Sequence, residues 1–127
     1  MKIICFKGKA NTGKSTIIKR ILNEFFKITL IPKDKKDFSL CFLYEGKKVG
    51  ICSYGDSKRD MKKWLKPLKN EKCEIIICAS HTRGETIEFV ESLGGEIVHY
   101  IECGGGEERD NEKISQFNEK FKEFEKR

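Results

Sequence analysis

An eight-residue stretch near the N-terminus has the residue types and spacing of a phosphate-binding loop. Residues 8–15 read Gly-Lys-Ala-Asn-Thr-Gly-Lys-Ser, which fits the pattern G-x-x-x-x-G-K-S. Gly8 and Gly13 allow positive φ angles and a close approach of the backbone to a ligand. In such a loop the backbone N–H groups converge on an anion, while Lys14 would reach the β- and γ-phosphates and Ser15 would ligate Mg²⁺. The motif predicts binding of a nucleoside triphosphate with magnesium.

The residues on either side of this loop are the ones that the motif requires. Residues 1–6 are mainly apolar and predict a buried strand, and residues 15–26 carry apolar side chains at helical spacing. Strand, glycine loop and helix together are the context of a phosphate-binding loop. Thr16 adds a second hydroxyl, suited to the helix start or to the α-phosphate. We predict that the nucleotide is contacted by Gly8, Lys9, Ala10, Asn11, Thr12, Gly13, Lys14, Ser15 and Thr16.

An aspartate follows the end of a second predicted strand. Gly55 and Asp56 come directly after the apolar residues 49–54. An aspartate at the carboxyl end of a strand beside the loop strand can hold Mg²⁺. We therefore predict that Asp56 and Ser15 ligate the metal and that Asp56 acts in catalysis with Lys14. The alternative is that Asp56, together with Ser57, caps the helix that follows.

A third polar group follows the apolar residues 73–79, which predict a buried parallel strand. Residues at the carboxyl ends of parallel strands line binding crevices, so residues 80–86 are placed to meet a ligand. Arg83 is the predicted catalytic cation, which would stabilise charge on the transferred phosphoryl group; binding a second substrate or forming an ordinary salt bridge are its alternatives. His81 is a candidate base, with a structural hydrogen-bonded role as its alternative.

The first quarter of the chain resembles the P-loop nucleoside triphosphatases and kinases. This resemblance implies a parallel α/β sheet and a magnesium–nucleotide ligand. A hairpin followed by Asp56 is similar to guanine-nucleotide switch proteins, but Gly55 precedes the aspartate and no D-x-x-G or base-reading N-K-x-D motif is present. The missing motif favours ATP over GTP. Lys9 stands where dimerising ATPases with a deviant P-loop carry a lysine that acts across the dimer, although their paired glycines are absent.

The remaining segments predict a three-layer α/β sandwich of the P-loop type over residues 1–127, with a mostly parallel five-stranded sheet. Residues 38–44 and 49–54 predict a hairpin that supplies one antiparallel edge strand, and residues 96–101 predict the last strand. Helices are predicted over 57–69, 86–93 and 107–127, and residues 27–37 predict a loop. The last helix carries an apolar stripe that packs on the sheet or forms a dimer contact: Ile114, Phe117, Phe121 and Phe124.

Composition limits the class of protein. The net charge of +6 suits phosphate-rich ligands or nucleic acid, and no apolar run approaches the length of a membrane span. The six cysteines include no C-x-x-C pair and mostly lie in apolar runs, which favours buried reduced thiols. We expect a cytoplasmic protein without a membrane partner.

These observations predict a Mg²⁺-dependent ATP-binding protein that acts as an ATPase or a small phosphotransferase. Two alternatives remain open. One is a nucleotide-dependent switch, either GTPase-like or a dimerising ATPase that uses Lys9. The other is a nucleic-acid-associated ATPase that uses the basic helix face of Lys58, Arg59, Lys62, Lys63, Lys66 and Lys69.

Overall fold

The computed structural model describes residues 1–9, 12–29, 37–104 and 107–126. Five strands form one sheet in the order β2-β3-β4-β1-β5. The strand bounds are β1, Lys2–Lys7; β2, Ser39–Tyr44; β3, Lys47–Cys52; β4, Ile75–Ser80; and β5, Ile97–Glu102. β2 pairs antiparallel with β3, and the other neighbours pair in parallel. The predicted α/β class and the mostly parallel sheet with one antiparallel edge strand are confirmed.

Helices cover both faces of this sheet. Their bounds are α1, Lys14–Arg20; α2, Lys58–Trp64; α3, Lys66–Asn70; α4, Glu85–Ser92; and α5, Glu107–Glu125. Successive side chains of β1 point to opposite faces of the sheet and so belong to two separate parts of the core. Ile4 and Phe6 pack with α1 and α5 on one face. Ile3 and Cys5 pack with α2, α3 and α4 on the other. The sheet therefore lies between two helical layers, and its carboxyl edge is left for the loops that follow β1, β3, β4 and β5.

The single helix predicted over residues 57–69 is wrong, because the structure divides it into α2 and α3. The division falls at Leu65, and Pro67 lies in the first turn of α3. Proline has no N–H to donate and its ring crowds the preceding turn, so a continuous helix is disfavoured there. Met61 and Leu68 are nevertheless buried against the same core, and the predicted basic side chains stay exposed.

The apolar stripe of α5 is buried within the chain itself. Ile114 is 8% exposed and Phe117, Phe121 and Phe124 are at most 2% exposed. A π-helical turn over Ile21–Phe25 follows α1 and brings Phe25 and Phe26 against Phe121, with ring centroids 5.1 and 5.3 Å away. Of the two predicted roles for this stripe, packing on the sheet is therefore the one observed.

Two further observations concern the state of the cysteines and the length and apolar character of the helices. All six cysteines are free, and four of them, Cys5, Cys52, Cys73 and Cys78, are buried. Within the described ranges, none of the helices combines the length and the apolar character needed to cross a membrane.

Candidate functional site

The predicted phosphate-binding loop joins β1 to α1 at the carboxyl edge of the sheet. The Gly8 N–H donates to the Ser80 carbonyl at 3.0 Å, which ties the start of the loop to the end of β4. A side chain at Gly8 would place its Cβ 2.6 Å from Thr12 Oγ1, so Thr12 would have to shift to admit it. Gly13, with a φ of 81°, precedes the first turn of α1. Ala10 and Asn11, two of the predicted contacts, lie outside the described residues.

Lys14 is held beneath this loop. Its side chain is 5% exposed. Its ammonium donates to the Gly8 carbonyl at 2.8 Å and to the Ser80 carbonyl at 3.0 Å, and it lies 3.5 Å from the Asp56 carboxylate. An ammonium has three N–H donors, so each one has a partner. The contact with Asp56 is the longest of the three, and it is the one on the open side of the site, because Asp56 is 64% exposed.

Asp56 reaches Lys14 from a strand that is not next to β1. β4 lies between β3 and β1, so the expectation that Asp56 follows the neighbouring strand is wrong. The chain instead crosses the end of β4 at Gly55, where an added Cβ would stand 2.6 Å from the Ala79 carbonyl carbon. Asp56 also does not cap α2, because the Ser57 hydroxyl accepts the Asp60 N–H at 3.2 Å. The Asp56 carboxylate therefore remains directed at the site.

Asp37 is a site residue that no sequence motif predicts. The Ser15 hydroxyl donates to its carboxylate at 2.8 Å, and the Ser53 hydroxyl donates to the same oxygen at 3.0 Å. Ser53 is 2% exposed and also accepts the Phe38 N–H at 2.8 Å. These bonds fix Asp37, just before β2, against the first turn of α1. Its sequence context is a charged stretch, which gave no signal that separated it from solvated neighbours.

Together these residues line an open cavity of about 320 Å³ over the start of α1. Both carboxylates and the Ser15 hydroxyl supply hard oxygen atoms, the ligands that Mg²⁺ prefers, and Mg²⁺ commonly uses only one or two carboxylates. Among the described residues, no group of three or more His, Cys, Asp or Glu side chains is arranged as a metal site. The donor set thus fits a hydrated Mg²⁺ better than a metal that needs a full protein cage. The lining residues are Thr12, Gly13, Lys14, Ser15, Thr16, Asp37 and Asp56.

A second cleft, of about 390 Å³, shares Asp56 as a wall. His81 Nε2 lies 3.2 Å from the Asp56 carboxylate, and the His81 backbone N–H donates to the buried Thr86 hydroxyl at 2.8 Å. Arg83 lines this second cleft and not the cavity over α1, whereas Lys9 is exposed and lines neither. The structure therefore brings Lys14, Ser15 and Asp56 together and places Arg83 on the far side of Asp56. The complete lining is Asp56, Ser57, Lys58, Arg59, His81, Arg83, Glu85 and Thr86.

Two further groups approach the loop from the chain after β5. A Cβ at Gly13 would stand 3.8 Å from an Asp110 carboxylate oxygen, which places that acidic side chain beside the loop. Cys103 lies against Gly8, and burial raises the pKa of its thiol to about 11. A thiol with such a pKa is neutral near pH 7 and is a poor nucleophile.

Comparisons with models of protein families, with curated proteins and with solved structures give no match to this chain. Any function must therefore be argued from the geometry of these two clefts.

Proposed function

We propose that this protein is a Mg²⁺-dependent ATP-binding P-loop protein that works as an ATPase or a small phosphotransferase. One observation carries the proposal. A buried lysine of a G-x-x-x-x-G-K-S loop points its ammonium to the carboxyl edge of the sheet, beside the carboxylate of Asp56. Buried lysines are rare unless they are paired, and here the partners are loop and strand carbonyls rather than a structural ion pair in the core.

The described geometry suits the β- and γ-phosphates of a nucleotide. Lys14 can keep its two carbonyl bonds and exchange the long contact with Asp56 for a phosphate oxygen. The backbone at the start of α1 adds N–H groups that have no helical partners, together with the positive end of the helix dipole. A bound phosphate would therefore meet fixed donors without a rearrangement of β1 or α1.

Magnesium would be held by Ser15, Asp56 and Asp37. When bound, it would neutralise negative charge on the phosphate oxygens. Asp37 already accepts the Ser15 hydroxyl, and Asp56 is freed from Lys14 when a phosphate takes its place. Asp56 and Asp37 thus lie where they could offer oxygen ligands to the metal. The absence of an N-K-x-D motif supports ATP over GTP.

The proposal is tested by titrating ATP and GTP with and without Mg²⁺ and by measuring phosphate release. We expect ATP to bind more tightly with Mg²⁺ than with EDTA. Asp56→Asn should lower the Mg²⁺ dependence and turnover, whereas Asp60→Asn, one helical turn away, should leave both unchanged. Binding of neither nucleotide would overturn the proposal.

A nucleic-acid-associated ATPase is the second candidate, and one observation favours it. The basic side chains of α2 and α3 are all exposed along consecutive turns: Lys58, Arg59, Lys62, Lys63, Lys66 and Lys69. This candidate predicts DNA- or RNA-stimulated turnover and an affinity that falls steeply with salt. Turnover that is unchanged by nucleic acid would exclude it.

A further inference from the structure

The second cleft is lined by positive side chains that have no carboxylate partner among the residues that the structure describes. The side chains of Lys58, Arg59 and Arg83 are exposed along its wall. Among the described residues, no carboxylate lies within ion-pairing distance of any of the three. Of the two acidic residues that line the cleft, Asp56 already contacts Lys14 and His81. Among the described residues that line the cleft, Glu85 is therefore the one carboxylate left to balance the three cations.

Their arrangement suits one kind of ligand. Like charges repel when they are held in a concave wall, and an anion that enters the cleft relieves this repulsion. A phosphate monoester carries a charge of about −1.5 to −2 at neutral pH, which matches three cations set against one glutamate. Arginine offers paired N–H donors to phosphate oxygens, and lysine adds a point charge. A carboxylate would supply only one negative charge.

We propose that the cleft formed by Lys58, Arg59, His81 and Arg83 binds the phosphate group of a small phosphomonoester, a second ligand next to the nucleotide. Asp56 forms the wall that this cleft shares with the cavity over α1. A ligand seated there lies beside the end of the cavity where the proposed γ-phosphate binds. Its role as second substrate rests on the proposed function, whereas its binding does not.

The test uses glycerol 3-phosphate as the probe, with glycerol as the uncharged comparison, in calorimetric titrations without nucleotide. The double variant Lys14→Ala/Asp56→Asn removes the main cation of the other cavity together with the carboxylate that this cation neutralises. The signal then reports on the second cleft, whose charge balance is kept. We expect glycerol 3-phosphate to bind and glycerol not to bind. Lys58→Gln and Arg83→Gln should each weaken binding by about tenfold, since each removes a charge-assisted hydrogen bond. Lys69→Gln, on the same basic side but outside the cleft, is the matched control.

The outcomes separate this inference from the proposed function. Phosphomonoester binding that survives in Lys14→Ala/Asp56→Asn and is weakened about tenfold by Arg83→Gln supports the cleft even if ATP does not bind. ATP binding with no detectable glycerol 3-phosphate binding overturns the inference and leaves the nucleotide proposal standing. Equal weakening by Lys58→Gln and Lys69→Gln would also overturn it, because it would show general charge attraction. The same holds if a short single-stranded oligonucleotide binds and glycerol 3-phosphate does not.

Discussion

The Lys14 ammonium and the Asp56 carboxylate lie 3.5 Å apart, although β4 separates the strands that lead to them. The loop after β1 supplies the lysine, and the chain after β3 must cross the end of β4 to supply the aspartate. At Gly55 an added Cβ would stand 2.6 Å from the backbone of Ala79, so this crossing leaves no room for a side chain. The contact between Lys14 and Asp56 therefore depends both on the order of the strands in the sheet and on the glycine at position 55.

Gly55→Ala should therefore damage both stability and the site. Its Cβ would stand 2.6 Å from the Ala79 carbonyl, and backbone cannot move aside as a side-chain end can. We expect a loss of about 1–3 kcal/mol in the free energy of unfolding, as for other overpacked sites, with weaker ATP binding. Urea denaturation and nucleotide titration measure the two effects.

Gly95→Ala is the matched control, because its Cβ would meet mainly the end of the Ile3 side chain, at 2.8 Å. We expect a smaller loss of stability and unchanged ATP affinity. Equal effects of the two substitutions on ATP affinity would show that Gly55 does not position Asp56.

Asp37→Asn should weaken magnesium-dependent binding. The substitution keeps the size of the side chain but removes the charge that Ser15 and Ser53 now orient. We expect ATP affinity in Mg²⁺ to fall by about tenfold while affinity in EDTA changes little, since only the metal would lose a ligand. Ser53→Ala keeps the carboxylate and removes one of its bonds, so it should cause a smaller loss. A loss of equal size in Mg²⁺ and in EDTA would rule out Asp37 as a ligand.

Phe121→Ala should destabilise the monomer rather than split a dimer. Phe121 is fully buried and contacts the rings of Phe25, Phe26, Tyr44 and Phe117. Removing a buried phenylalanine costs about 3–5 kcal/mol in the free energy of unfolding. If that variant does not fold, Phe121→Leu should show a smaller loss that can be measured by urea denaturation.

Lys122→Ala, exposed on the same helix, should have little effect. Size-exclusion chromatography at several concentrations separates the two roles of the α5 stripe. A concentration-dependent loss of dimer in Phe121→Leu, with no change in monomer stability, would contradict burial within the chain.

We expect the free energy of unfolding to fall at acid pH, in part because unfolding lets His99 bind a proton more readily. Burial is the main cause that lowers the pKa of His99 below 6.5, and nearby Lys120 lowers it further, against the opposing charge of Glu123. Because the unfolded chain binds this proton at higher pH, stability is full above about pH 6.5 and falls as pH drops towards the pKa in the folded protein. Urea midpoints at pH 7.5 and 5.5 should differ more for wild type than for His99→Gln. Equal differences would refute this contribution.

Local patterns predicted much of this architecture. The hairpin, the buried β4 and the α5 stripe each follow from hydrophobic periodicity and turn residues, which act within a few positions of the chain. The phosphate-binding loop motif likewise predicted the roles of Gly13 and Lys14, because the spacing of its residues defines the shape of the loop. These predictions needed no knowledge of which strands are neighbours.

The features that were missed depend on contacts between distant segments. The place of β4 between β1 and β3, and hence the role of Gly55, follows from sheet order, which no local pattern encodes. Asp37 gains its partner Ser15 from 22 positions away. The π-helical turn at Ile21–Phe25 accompanies the packing of Phe25 and Phe26 against Phe121, and its residues would also fit an ordinary helix.

The most direct test of the account compares ATP binding by the wild type, Lys14→Ala and Lys19→Ala in the presence of Mg²⁺. Both lysines belong to α1, but Lys14 is buried under the loop whereas Lys19 is exposed. Calorimetric titration should show ATP binding to the wild type and to Lys19→Ala with the same affinity, and a loss of at least about tenfold for Lys14→Ala. Equal affinity of the two variants for ATP would contradict a phosphate-binding role for the loop.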